Sequence, residues 1–90
     1  MDEIRGVLFT VIVGKGSRSE GPKYYIRPID EYKNRWSEIL VRKKTKSWED
    51  DPELHKFLEK PVLILGEIIE TRSSITVDYM EVKELKTPLN

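Results

Sequence analysis

The chain has 90 residues, 16 basic and 16 acidic side chains, one histidine and no cysteine, which describes one small domain with no disulfide, thiolate metal site or cysteine nucleophile. A chain of this length hides only about 60–65% of the surface its unfolded form exposes, so a single core with little tolerance for cavities is expected. The longest unbroken apolar run, residues 62–65, holds four residues, far below the ~20 that cross a bilayer as a helix; the start Met1-Asp2-Glu3 lacks the basic region of a secretion signal, and a cytoplasmic location is expected.

Residues 4–13 carry apolar side chains at both parities, which predicts a long strand covered on both faces for part of its length. Gly6 within it marks a bend or a close backbone approach. Residues 14–22 hold three Gly, two Ser and one Pro and read as a loop. Residues 23–29 predict a second strand, with Pro28 confined to an edge, bulge or end. A polar turn at 30–35 leads to a third strand at 36–42, followed by the basic Lys43, Lys44 and Lys46. One helix is predicted over 51–60: Asp51 suits the N-cap, Pro52 the first helical position, and Leu54, Phe57 and Leu58 recur at i, i+3, i+4 before Pro61. Strands at 62–70 and 75–84 follow, joined by a hairpin loop at 71–74, with Gly66 marking a bend. Residues 86–90 are expected to fray, leaving 1–85 as the single domain.

The absence of Ala beside seven Val, nine Ile and five Thr favours strands over helices. Ten Lys and eleven Glu, no Gln and two Asn follow the composition reported for hyperthermophile proteins. The element order is β-β-β-α-β-β. The doubly apolar 4–13 strand, the Gly-rich loop after it, the capped 51–60 helix and the Lys60-Pro61-Val62-Leu63-Ile64-Leu65-Gly66-Glu67 segment resemble the OB-fold domain family across nearly the whole chain. That last segment, with the hairpin to Ile75-Thr76-Val77-Asp78, is similar to strands four and five of replication protein A-like and tRNA-anticodon-type OB domains. The resemblance is architectural. It implies an all-β, five-stranded Greek-key OB-fold barrel with the helix between strands 3 and 4. An SH3-like barrel also has five short strands but usually lacks a helix at this position.

The resemblance further implies that ligands lie across strands 2 and 3, flanked by the loops joining strands 1 to 2 and 4 to 5. Alternation puts Tyr25, Arg27 and Ile29 on one face of strand 2 and Tyr24, Ile26 and Pro28 on the other. Arg27 would be costly inside a small barrel, so its face is the outer one. On strand 3 the outer set is Trp36, Glu38, Leu40 and Arg42, with Ser37, Ile39 and Val41 inward. Exposed aromatics beside arginines suit single-stranded DNA or RNA, since each stacked base contributes about 1–3 kcal/mol while cations follow the phosphates. Lys15 and Arg18 in the first loop, Lys23, Lys44 and Arg72 extend this set. Five cations engaging one strand would set a log-affinity against log-salt slope of about −3 to −4. Residues 1–47 carry eleven basic and six acidic side chains, residues 48–90 five and ten, so the zero sum hides a dipolar chain. A sequence pI of 6.6 excludes only the uniformly basic class of binder.

Plainer explanations stand beside several of these residues. Tyr and Trp on a small barrel also pack against neighbours, and Glu38 on the outer face opposes phosphate. Gly14-Lys15-Gly16-Ser17 resembles the end of a phosphate-binding loop but lacks the upstream Gly and a following helix. Helix capping accounts for Asp50, Asp51 and Glu53, and His55 and Glu59 face away from Leu54 and Leu58, towards solvent. No catalytic residue, metal or cofactor is expected, and the protein reads as a non-enzyme. The alternative function is an OB-fold protein-interaction or assembly subunit, a homo-oligomer among the options, for which Ile29 and Leu40 on the outer face argue. No membrane partner is expected.

Overall fold

A computed structural model describes residues 1–13, 16, 21–43 and 51–86. Five strands, β1 (Asp2–Val13), β2 (Gly21–Pro28), β3 (Ile39–Arg42), β4 (Pro61–Glu70) and β5 (Ile75–Glu84), close into a barrel in the order β1-β2-β3-β5-β4. The helix α1 (Pro52–His55) lies between β3 and β4. All pairings are antiparallel except β3 with β5. This mixed five-stranded barrel is consistent with an OB-like fold.

Closure depends on β1, which pairs with β4 along Asp2–Val7 and with β2 along Gly6–Val13. Gly6 is the residue shared most tightly between the two sheets: a Cβ there would overlap the carbonyl oxygen of Arg27. Gly66 has the same role in β4, where the register with β5 shifts between Leu65 and Gly66 and a Cβ would overlap the carbonyl of Asp78. A bulge at this point increases local twist and helps the sheet curve.

The inner parity of each strand supplies the core: Ile4 and Leu8 from β1, Tyr24 and Ile26 from β2, Ile39 and Val41 from β3, Val62 and Ile64 from β4, Ile75, Val77, Tyr79 and Val82 from β5. Leu54 plugs one end at 1% exposure, with Phe57 and Leu58 packed beside it.

Two elements are shorter than the sequence predicts. The helix has a single turn instead of ten residues. After His55 the chain tightens into i to i+3 bonds, Phe57 N to Leu54 O at 2.9 Å and Lys60 N to Phe57 O at 3.1 Å, and Glu59 adopts φ +64°. Docking onto β1 accounts for this: Glu59 N donates to Leu8 O at 2.6 Å and Leu8 N to Lys60 O at 3.2 Å. β3 begins at Ile39 instead of Trp36. The preceding segment forms a 3-10 turn, Glu31–Asn34, capped by Asp30, whose Oδ1 accepts from Tyr32 N and whose Oδ2 accepts from Arg5 N. Among the described residues no helix is long and apolar enough to cross a membrane. The loop residues Lys15 and Arg18, the basic Lys44 and Lys46, and the tail 87–90 lie outside the described residues.

Candidate nucleic-acid interface

Inward packing of Tyr24, Ile26, Ile39 and Val41 leaves the other parity of β2 and β3 on the outer wall, as alternation predicts. Cross-strand register turns this parity into a row: Phe9 pairs with Tyr25, Tyr25 with Leu40, Leu40 with Thr76 and Thr76 with Ile69. Four inter-strand steps of about 4.8 Å carry it along an arc of about 19 Å around the closed barrel. Its β1–β2 end is aromatic, with the Phe9 and Tyr25 rings stacked at 5.6 Å between centroids and 23° between planes. The Arg27 guanidinium lies over the Phe9 ring, 4.0 Å from its centroid. On the opposite side of the row Lys23 pairs with Val11.

The other candidates are distributed around this centre. Arg42 shares the outer parity, but its Nε donates to Asp78 Oδ1 at 2.9 Å, and the Asp78 side chain is only 8% exposed. Trp36 lies ahead of β3, half-buried against the core, with Nε1 donating to Glu70 Oε2 at 2.7 Å. Arg35 grips the same carboxylate through Nε at 3.0 Å and Nη2 at 3.1 Å, a two-pronged arrangement that fixes geometry. These bonds, Arg35 first and Trp36 second, hold the Glu70 carboxyl below its ordinary pKa and raise that of Arg35. Trp36 thereby ties the β2–β3 connection to the β4–β5 hairpin, whose exposed loop carries Arg72. The structure thus brings Lys23, Tyr25, Arg27 and Arg42 onto one wall, with Trp36 ahead of β3 and Arg72 in the β4–β5 loop.

Phe9 is the wall residue that sequence reading missed. Its parity on β1, opposite to that of Leu8, was legible; its neighbour Tyr25 depends on β1–β2 register across a Gly-rich connection whose length does not dictate pairing.

The far end of the barrel contains a different polar cluster. Asp51 caps α1 through Oδ1, which accepts from Glu53 N at 3.0 Å and Leu54 N at 3.3 Å, while Oδ2 accepts from the Tyr79 hydroxyl. Asp51 N donates to the Tyr24 hydroxyl at 3.1 Å, and that hydroxyl meets His55 Nδ1 at 3.2 Å. His55 is exposed as expected, but it is engaged with β2 instead of being merely solvated. Burial, followed by the Asp51 carboxylate, pushes the Tyr79 hydroxyl well above the ordinary phenol pKa. Among the described residues no group of three His, Asp or Glu could hold a metal ion.

No protein family, curated protein or solved structure matches the chain. The functional reading therefore rests on the barrel and its outer wall.

Proposed function

We propose that the protein binds single-stranded nucleic acid without catalysis, through the outer wall of β1, β2 and β3. The observation that carries this reading is the stacked Phe9–Tyr25 pair with Arg27 and Lys23 on either side of it. Aromatic faces accept any base, whereas the cations follow the backbone, so binding is tolerant of sequence and weakens with salt. The OB-like architecture supports the reading, because this wall is where the replication protein A-like and tRNA-anticodon-type domains that the sequence resembles take their ligands. Lys23, Tyr25 and Arg27 contact the strand first. Arg42, held by Asp78, contributes less than its charge suggests, and Trp36 supports the wall through Glu70 instead of offering its ring. Lys15, Arg18, Lys44 and Arg72 extend the phosphate path, and neither cofactor nor metal is required.

Titration of fluorescent oligo-dT and oligo-U at low and moderate salt tests the proposal. Tyr25→Ala is expected to weaken binding about 5- to 100-fold. Absence of binding at low salt, or indifference to Tyr25→Ala, rejects it. A second reading, a protein-interaction subunit, is favoured by Ile29 and Ile69, which are 52% and 39% exposed beside the same wall. Its homo-oligomer form predicts self-association on a sizing column with light scattering that Ile69→Lys abolishes.

A further inference from the structure

Phe9 combines two properties that do not ordinarily go together. Its parity and its pairing with Tyr25 put it on the outer wall, yet it is only 7% exposed and is not part of the inner core cluster. Its cover is on the outside: Tyr25 stacks beside it and the Arg27 guanidinium lies over its face. Arg27 is itself exposed, and among the described residues no carboxylate forms an ion pair with it. Arg42, on the same wall, differs by being fastened to a buried carboxylate at 2.9 Å.

We propose that Phe9 is a covered base-stacking subsite: an unpaired nucleobase takes the place of the Arg27 guanidinium on the ring while that guanidinium moves to a phosphate. The inference rests on the nucleic-acid reading above and adds a second platform beside Tyr25. A planar, delocalised guanidinium stacked on an aromatic face occupies the kind of slot that a planar base fills. An exposed cation–π contact favours the covered arrangement by only about 2- to 5-fold. A stacked base is worth about 5- to 100-fold, and the displaced guanidinium keeps a charged partner in the phosphate. The exchange is therefore downhill for a ligand bearing both bases and phosphates. For a backbone without bases, nothing replaces the cover on Phe9.

The test compares oligo-dT with an abasic oligonucleotide of equal length on wild type, Phe9→Leu, Arg27→Ala and Tyr25→Ala. Phe9→Leu should weaken oligo-dT by the stacking gain less the lost cover, up to about 50-fold, and should not weaken the abasic strand. Arg27→Ala should reduce the steepness of the log–log salt dependence by about 0.7 for oligo-dT, and leave that of the abasic strand unchanged, because only a base releases the guanidinium from Phe9. Equal losses on both ligands in Phe9→Leu, or an equal flattening of both salt dependences in Arg27→Ala, overturn the subsite. If Tyr25→Ala removes the preference for bases and the other two variants do not, the binding face stands and the Phe9 subsite falls. Failure of wild type to bind either strand rejects both. Should Phe9→Leu fold poorly, the exposed Arg27 position carries the test alone.

Discussion

Asp51 spends both carboxylate oxygens on structure. One caps α1 and the other accepts from Tyr79, while its backbone N–H reaches Tyr24. A four-residue helix has almost no intrinsic stability, so these bonds, together with Leu54, fasten it to the barrel. Tyr79→Phe removes the donor and leaves a buried carboxylate oxygen without it, which should cost about 1–3 kcal/mol by denaturant titration at neutral pH. The pH dependence has a definite sign. The Tyr79 pKa is raised in the folded state by burial first and by Asp51 second, so its contribution is complete below the ordinary phenol value of 10.0 and declines as pH rises beyond it. Wild type should lose stability in alkali more steeply than Tyr79→Phe, and parallel curves would refute this account. The cap at Asp51 was readable from its position before Pro52. Its second oxygen was not, because Tyr79 is 28 residues away.

At the scale of elements, sequence periodicity located every strand, the 71–74 hairpin loop and the site of the helix, but overestimated the helix and β3. Leu54, Phe57 and Leu58 satisfy an amphipathic helix and a capped turn of 3-10 type equally well, and the bonds of Glu59 and Lys60 to Leu8 decide between them. Similarly, Trp36 has the strand propensity of a β3 residue, but its indole N–H is drawn to Glu70, 34 positions on. The clamp formed by Arg35, Trp36 and Glu70 should govern the mobility of the β2–β3 connection. Because Glu70 is depressed below its ordinary value of 4.5, the clamp is complete above that value and released as pH falls through the lower folded one. Amide exchange across residues 31–36, taken relative to the intrinsic rate that acid itself slows, should accelerate as pH falls for wild type. In Glu70→Gln it should already be fast at neutral pH, and slow exchange there would show that the clamp is inconsequential.

For the whole molecule, the zero net charge conceals two unlike walls. The β1–β4–β5 wall carries half-buried Leu63 and Leu65 beneath charged neighbours, with ion pairs from Arg5 to Glu3 at 3.2 Å and Lys83 to Glu81 at 3.6 Å. Such exposed pairs contribute little to stability and present a charge-balanced surface. The β1–β2–β3 wall holds the aromatic pair with Lys23 and Arg27. Lys23→Glu and Lys83→Glu change the net charge identically, yet only Lys23→Glu should weaken oligonucleotide binding and flatten its salt dependence. Equal weakening by both would mean that binding follows the overall charge instead of this wall.

Alternation, turn residues and the Asp51–Pro52 cap are local signals, and from them the sequence alone determined the element order, the inward and outward faces of β2 and the β-rich class. The division of charge between the two halves was equally plain, but its consequence was not. Closure of β1 against β4 and of β3 against β5 interleaves the halves, so the charge on each wall depends on which strands become neighbours. Register did the same for individual side chains: it set Phe9 beside Tyr25 and under Arg27, Arg42 against Asp78, and Trp36 on Glu70. Those pairings join residues 16 to 36 positions apart, a separation at which periodicity carries no information and only the closed barrel decides what touches what.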